Sequence, residues 1–533
     1  MLKLSDIRLV EQLDTVGLKQ VAAGVLGIGE DVIKDLRIHK LSVDARRKPE
    51  VRFVYTLLVK ADNERAVLNR NIPNVTAHIQ TETYGFPAIG RVNTGQPPVV
   101  VGMGPAGLFS ALYLAEAGIK CVVLERGSPV ERRVGDVARF WHSGRLDLSS
   151  NVQFGEGGAG TFSDGKLTTG VGDIRKRFIL EQLVRFGAPE SILYLAKPHI
   201  GTDLLRDIVK AVRSRLFQLG CDIRFGHKLN DLDISGGALR GLEVREGSYE
   251  YEMEADKLIL APGNSARDTF EMLSRRGVML TPKDFSVGVR IEHSQRSIDK
   301  SQYGGAAISS GYKLPAADYK LVAHIDGNRS VYTFCVCPGG QVVAAASEKG
   351  GVVTNGMSKY ARDGENCSGA LLVNVTPEDF GCGPLDGVEF QRNLERAAFI
   401  SGGGAYLAPA QLVCDFLEKC ASTGCKNITP TYQPGVKYCN LWDVLPEFVC
   451  GAIRAALPEF EKRVEGFADP GAVLTAVETR SSSPVRVLRE NYETVGIKGI
   501  FPCGEGSGYA GGIMSSAIDG IKCAERALSS LYS

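Results

Sequence analysis

"PPVVVGMGPAGLFSALYLAEAGIKCVVLERG", residues 97–127, decides the fold. Val99–Val101 is a short β-branched run of the kind buried on both faces of a parallel sheet. Gly102, Gly104 and Gly107 follow with GxGxxG spacing. At a strand-to-helix turn Gly102 permits the tight turn, Gly104 lets a pyrophosphate approach the backbone, and Gly107 lets the helix pack on the strand. Pro105 and Ala106 open that helix, where bare N–H groups and the helix dipole attract an anion without a positive side chain. Ala111 and Gly118 are small where helix must meet sheet, and Cys121–Leu124 reads as the next strand. Glu125 stands at the end of that strand, where a carboxylate accepts hydrogen bonds from ribose hydroxyls. The flanks agree with the glycines, and the stretch predicts a bound dinucleotide.

Around this unit the chain is long enough, at 533 residues, for two or three domains with full cores. Its charges nearly cancel at net +1, which argues against a one-signed surface for nucleic acid or membrane. No apolar stretch reaches the roughly 20 residues of a membrane span. The start, "MLKLSDIRLVEQLD", puts acids where a signal peptide needs an apolar core. Thirteen cysteines, odd in number and scattered, suggest a reducing compartment. These features predict a cytoplasmic location and no metal site.

The pattern along the chain divides it. Residues 1–95 form a small N-terminal α+β domain: "LSDIRLV" and "VRFVYTLLVKA" are strands, and Thr15–Leu36 has helical periodicity broken at "GIGED". Its basic "DARRKPE" reads as a solvated turn, and "YGFPAIGRVNTGQPP" (84–98) as a linker. Residues 96–270 form the first part of the dinucleotide domain. In it "DLLRDIVKAVRSRLFQLG" is an amphipathic helix, "CDIRF" a strand, and a meander leads to a buried strand ending at the small-residue turn Ala261-Pro262-Gly263. Residues 271–495 read as an inserted mixed α+β substrate or cap domain, with helices near 387–400 and 408–420. Glycine-rich "SGGGAYLAPAQ" (401–411) reads as a loop, since no β-branched strand precedes it. Residues 496–533 return to strand–glycine–helix form and complete the domain. The predicted fold class is α/β: a discontinuous Rossmann-like domain with an insert and a small N-terminal domain.

A dinucleotide site split between both halves of the chain points to FAD, because a simple NAD domain is contiguous after its first turn. Gly504-Glu505-Gly506 would let a carboxylate reach the ribityl chain. The helix opened by Gly511 and Gly512, with Ile513 after them, would face the flavin O2 carbonyl. Together with the opening stretch and Glu125, the segments "FGEGGAGTFSDGKL", "IGTDLL", "LAPGNSARD", "FSVGVRIEH", "CVCPGG", "ETRSSSPVR" and "GEGSGYAGGIMSSAIDG" resemble one family. It is that of uncharacterised bacterial FAD-dependent (NAD(FAD)-utilising) dehydrogenases, within the two-dinucleotide-binding-domain flavoproteins. The resemblance runs from about residue 97 to the end. It implies that Arg126 or Arg133 stands beside Glu125 at the pyrophosphate and ribose. It implies that the loop 154–166, like one in fumarate-reductase-like flavoproteins, passes along the isoalloxazine. There Gly157 and Gly158 would permit close approach, and Ser163 or Lys166 would donate near N5. Lys228 and Leu229 match the backbone segment that touches adenine, and Ala261 and Gly263 complete the cofactor set.

No second strand–GxGxxG–helix unit is visible, so NAD(P)H is expected only as a transient donor. Cys420 and Cys425, the one C-x4-C pair, lack the context of a redox disulfide. Cys335 and Cys337 lie two apart on a strand and should face the same way. Small buried packing residues are the plain reading, and Cys337 is the candidate thiol towards the flavin. In "VRIEH", Arg290 and Glu292 share one face and His293 takes the other, a candidate general acid. Arg480, among hydroxyls, suits a carboxylate or phosphate held by charge-assisted hydrogen bonds. The expected function is an FAD-dependent oxidoreductase. It would move a hydride between flavin N5 and a small, anionic molecule, with no nucleic-acid or membrane partner and its oligomeric state open. The alternatives are a flavin-dependent RNA-modifying enzyme, which the near-neutral charge disfavours, and a binding protein with structural FAD.

Overall fold

In the computed structural model, which describes all residues except 49, 80–82, 88–95, 306–307, 309–312, 326–328 and 531–533, the opening stretch builds the middle of a five-stranded sheet. The order is Ile500–Pro502, Leu258–Leu260, Val99–Val101, Val122–Glu125, Asp222–Phe225, with every pair parallel. Central position and cover on both faces, by helices on the Val100 side and by the meander strands with helix Arg267–Arg275 on the Val99 and Val101 side, explain the unbroken apolar run of Val99–Val101. Helix Pro105–Glu116 is buried from Ala106 to Ala115. It packs on the C-terminal helix Ile513–Ser529, where a Cβ on Gly520 would lie 2.2 Å from the Ala106 carbonyl oxygen. The C-terminal segment thus supplies both an edge strand and a covering helix. Strands His227–Ser235, Ala238–Glu246 and Tyr249–Glu254 form the meander, and helix Thr202–Gln218 carries the predicted amphipathic pattern.

A seven-stranded sheet dominates the insert, in the order Val322–Ile325, Arg329–Cys337, Asn366–Val375, Phe285–Ser294, Val473–Glu478, Ala408–Leu412, Val436–Tyr438. Val287, Val289, Ile291, Leu371, Val373 and Leu474 belong to its core. Helix Asp386–Ser401 lies close to where it is expected. The expected helix at 408–420 does not form: Ala408–Leu412 is a strand buried along its whole length, and only Val413–Leu417 is helical. The same strand corrects the loop reading of 401–411. Ala and Leu gave that segment a helical look, but its position between two strands supplied ladder partners that outweigh propensity.

The N-terminal sheet runs Ile33–Arg47, Glu50–Ala61, Leu2–Leu9, Val75–Ala77. Helix Thr15–Leu26 lays Leu18, Ala22, Ala23 and Leu26 on the core. The Asp14 side chain caps its start (Gly17 N at 2.8 Å), and Gly27, left-handed at φ 58°, ends it. The helical reading of 15–36 ran too far, because Ile33–Arg47 is a long strand whose mostly polar residues hide its alternation. The middle of the expected linker lies outside the described residues. At its start Phe86 meets the Phe178 ring at 4.8 Å between centroids, on the dinucleotide unit.

Candidate active site

The C-terminal ends of the parallel strands open into a cleft of about 330 Å3, in the size range of small-molecule sites. Val101, Glu125, Ala261 and Cys503 line it, as expected where ligands bind α/β sheets. Two helix N-termini meet it without a side-chain cap: Gly104 before Pro105–Glu116, and Gly512 before Ile513–Ser529. A Cβ on Gly102 would come within 2.2 Å of the Ala261 oxygen, and one on Gly107 within 1.9 Å of the Gly102 oxygen. Those two glycines are fixed by packing. A Cβ on Gly104 would meet only the Gly158 Cα at 3.8 Å, and on Gly263, Gly511 or Gly512 nothing within 4 Å. These four open onto the cleft, a cradle that side chains would fill. Bare N–H groups at both helix starts suit a pyrophosphate and an electron-rich carbonyl, so the residues present fit FAD.

Glu125 lines the cleft and is 4% exposed. Its Oε2 accepts from Met103 N (2.8 Å) and its Oε1 from Gly127 N (2.9 Å) and Gly155 N (3.0 Å). The carboxylate therefore pins three backbone segments and keeps lone-pair capacity for a ribose hydroxyl. Arg126 lies 4.4 Å over the Phe154 ring, and Arg126 and Lys228 share Asp268, at 3.1 and 2.5 Å. Burial raises the Asp268 carboxyl, but those two cations outweigh it and hold it low. Leu229, Ala261, Gly158, Ser163 and Lys166 also line the cleft. Ser163 Oγ donates to the Gly160 carbonyl at 2.7 Å.

Arg133 is placed elsewhere. It is fully buried, and its guanidinium donates to the carbonyls of Asn151 (2.9 Å), Val152 (3.0 Å), Gly155 (3.3 Å) and Glu156 (2.6 Å). It shapes the loop instead of meeting a phosphate, because carbonyls converging away from water need a donor fork. Gly157 is also off the cleft, its φ of 81° and a Cβ position 2.0 Å from Thr161 Oγ1 making it a turn glycine.

The facing wall comes from the seven-stranded sheet and the loop after it: Phe334, Cys335, Glu478, Arg480 and Ser481. The sheet corrects the pairing of Cys335 with Cys337. Phe334 stands opposite Ala370 and Cys337 opposite Ser368, so Cys335 and Val336 share a single partner position. This is a β-bulge, with Cys335 at φ 40°. Cys335 lines the cleft, whereas Cys337 is buried against Arg290, 3.8 Å from its guanidinium. Arg290, fully buried, donates to Cys335 O (3.1 Å) and Ser368 Oγ (2.9 Å) and lies 3.5 Å from Glu478. Lys166 Nζ donates to the next carbonyl, Val336 O. The Cys335 thiol is pushed down to about 6, first by a hydrogen bond from Cys337, then by Arg290 and Lys166. Burial pushes Glu478 up to about 7, since one long contact with a shared arginine does not offset it. Glu505 is likewise pushed up to about 7 by burial; it accepts from Asn264 Nδ2 at 2.9 Å.

Arg480 borders the cleft but faces a carboxylate of its own chain. Its Nη2 and Nε lie 3.0 and 3.1 Å from Glu395, which Arg267 also holds at 2.7 Å. The charge assigned to a substrate anion is already matched, so this residue holds loops together. His293 lies away from the cleft and is 1% exposed. It donates from Nε2 to Phe467 O at 2.6 Å, and burial pushes it down to about 4. It is a satisfied neutral core histidine. Glu478 and Asn264 escaped the sequence reading, although both sit in segments singled out there. For Glu478 the signal was present: a carboxylate ending a strand, Val473–Glu478, that is apolar but for Thr475. Among the described residues no helix is long and apolar enough to cross a membrane.

Fold and cleft together define a dinucleotide-binding flavoprotein. The FAD binding domain family matches residues 97–146, and the family described as FAD-dependent protein, C-terminal domain-like, matches 284–481. A domain of unknown function matches 1–60. A protein of Clostridium beijerinckii described as uncharacterized is 44% identical over 527 residues, covering 98% of each chain. Halogenase PltM, solved with phloroglucinol and FAD, aligns over 82% of this chain and 70% of its own at 12% identity and TM-score 0.39. A geranylgeranyl bacteriochlorophyll reductase-like protein of Thermoplasma acidophilum aligns over 82% and 80% at 12% identity and TM-score 0.36. The chain belongs to the family of FAD-dependent proteins it shares with the Clostridium protein, and FAD is its cofactor.

Proposed function

We propose that the protein is an FAD-dependent oxidoreductase acting on a small molecule bound between the glycine-lined half of the cleft and the wall of the seven-stranded sheet. Bound FAD supplies a hydride acceptor or donor at its N5. One observation carries the reading: ionisable groups displaced from their ordinary values meet in the cleft, Cys335 and Glu478 on the facing wall and Glu505 on the segment before the C-terminal helix. Glu478 and Glu505, near neutrality, can each hold or release a proton as the substrate changes charge. Phe334, 39% exposed at the cleft, offers an aromatic surface for orienting an apolar part of the substrate. Glu125 and the two helix starts hold the cofactor, and Arg290 fixes the wall.

The test is anaerobic reduction of the FAD-loaded protein by a panel of two-electron donors, nicotinamides included, read as loss of the yellow absorbance. A small organic donor should bleach it with saturation. NAD(P)H should be slow and non-saturating, since no second dinucleotide motif is visible. If no donor outpaces its reaction with free FAD, the cofactor is structural and the reading fails.

A further inference from the structure

Away from the cleft, two thiols meet at the opposite end of the parallel sheet. Cys121 leads into strand Val122–Glu125, and Cys221 into the edge strand Asp222–Phe225. Val122 stands opposite Asp222, so the two cysteines share the register position just before that pair. The ladder reaches them, since Asp222 N donates to Cys121 O at 3.0 Å. Both side chains enter the core under helices Pro105–Glu116 and Thr202–Gln218. There Cys121 Sγ donates to Cys221 Sγ at 3.6 Å. Neither residue lines the cleft. Packing alone asks only for small apolar side chains, but here the backbone also permits a bond. Neighbouring strands lie about 4.8 Å apart, inside the roughly 4.4–6.8 Å of Cα separation that a disulfide spans. An approach of about 1.6 Å takes the sulfurs from 3.6 Å to bonding distance. Cys221 is the more accessible of the two, 6% exposed against 2% for Cys121. Lys120 lies over the turn before it, its Nζ 3.4 Å from where a Cβ on Gly220 would stand, and a cation beside a thiol favours the thiolate.

We propose that Cys121 and Cys221 form a reversible redox site, closed to a disulfide by hydrogen peroxide and reopened by a small thiol, that clamps the edge strand to the sheet. The Cys221 thiolate attacks one peroxide oxygen, the O–O bond breaks, and the departing hydroxide takes up a proton, leaving a sulfenic acid. Cys121 then attacks that sulfur, the S–S bond forms, and the sulfenic oxygen leaves as a second water. Two thiols are oxidised by two electrons, and one peroxide is reduced to two waters. A small thiol reverses the closure by exchange and is itself oxidised to its disulfide. The site acts on a strand with a single ladder partner in its sheet, Val122–Glu125. That strand delivers His227, Lys228 and Leu229 to the cleft. A bond between residues 100 positions apart restricts the unfolded chain strongly, so the closed form is the more stable. The proposal needs no substrate in the cleft and stands or falls apart from the reading given above.

The experiment treats the FAD-loaded full chain with graded hydrogen peroxide, blocks the remaining thiols with N-ethylmaleimide in urea, and maps unreduced peptides by mass spectrometry. A linked Cys121–Cys221 peptide should appear in most molecules and vanish on treatment with dithiothreitol. The exposed Cys382, Cys420 and Cys425 report general oxidation. The linked protein should melt at least about 4 °C above the reduced one, and Cys221→Ala should lose the link and the rise together. Absence of the link once the three exposed cysteines are oxidised overturns the proposal. So does a link that forms only in urea, or oxidation of Cys221 that runs on to the sulfinic acid with Cys121 still free. A link without a rise in melting temperature overturns the clamp. The peptide map is made on the unmodified sequence, so it decides even if the alanine variant misfolds.

Discussion

Replacing Glu395 by Gln tests whether the charge cluster beside the cleft is structural. The carboxylate is 2% exposed and lies between Arg267, 1% exposed, and Arg480, 4% exposed. Four N–O contacts of 2.7 to 3.1 Å and a hydrogen bond from Thr479 Oγ1 at 2.7 Å converge on it. Gln preserves the shape, but it offers one acceptor oxygen and turns an NH2 towards a guanidinium. Removing one partner of a buried pair costs about 3–5 kcal/mol. Glu348 still reaches Arg267, so the lower end, about 3 kcal/mol, applies, and most of it falls on Arg480. For a cooperative unit of about 150–250 residues each kcal/mol lowers Tm by about 2–4 °C, which predicts a fall of about 6–12 °C. Burial raises the Glu395 carboxyl, but Arg267 and Arg480 outweigh it and hold it well below the ordinary 4.5. A depressed carboxyl contributes its stability above the unfolded value and loses it as pH falls through the folded one. The gap between wild type and variant should therefore be full at pH 7 and shrink below about pH 4.5. The assay is a thermal melt of FAD-loaded protein across that range. A melt within about 2 °C of wild type at pH 7 would refute the reasoning.

Glu125→Ala should lower FAD affinity by about 2–4 kcal/mol and also reduce the stability of FAD-free protein, because Met103, Gly127 and Gly155 lose their acceptor; cofactor retention on dialysis and a melt of stripped protein check both. Glu478→Gln should flatten any break near pH 7 in the rate of substrate-driven flavin reduction, since burial pushes the native carboxyl up to about 7. A raised carboxyl gives its stability below about 4.5 and loses it as pH rises through about 7, so melts of the variant should gain on wild type across that window. A break that survives in the variant would move the group to Glu505.

What the chain's letters reveal depends on how local the cause is. The glycine turn at 102–107 is legible because each glycine answers a contact within one βαβ unit, such as Gly107 against the Gly102 carbonyl. The late segment at 504–513 is legible for the same reason: an uncapped helix start after a strand has a compositional signature. The strand at 408–412 is not, since its ladder partners at 436–438 and 473–475 are set by the whole sheet. Nor is the role of Arg480. Its hydroxyl-rich neighbours suggest an anion, but Glu395, 85 residues away, provides the carboxylate.

The arrangement of charge also narrows what fits beside the cofactor. Both arginines that line the cleft are matched, Arg126 by Asp268 and Arg480 by Glu395. Lys228 also meets Asp268, and Lys166 is drawn onto a backbone carbonyl of the bulge. The cofactor's own negative charge has the two helix starts to meet it. A second anion would find none of the planar forks that bind carboxylates bidentately, and a buried charge without a partner is costly. Burial meanwhile pushes two carboxyls that line the cleft, Glu478 on the facing wall and Glu505 on the cofactor side, up to about 7. Such groups discriminate little against an uncharged molecule, and each can pass one proton to it. The expectation of an anionic substrate rested on Arg480 alone, and with that residue tied to Glu395 the wall fits an uncharged substrate that accepts or yields a proton as it reacts.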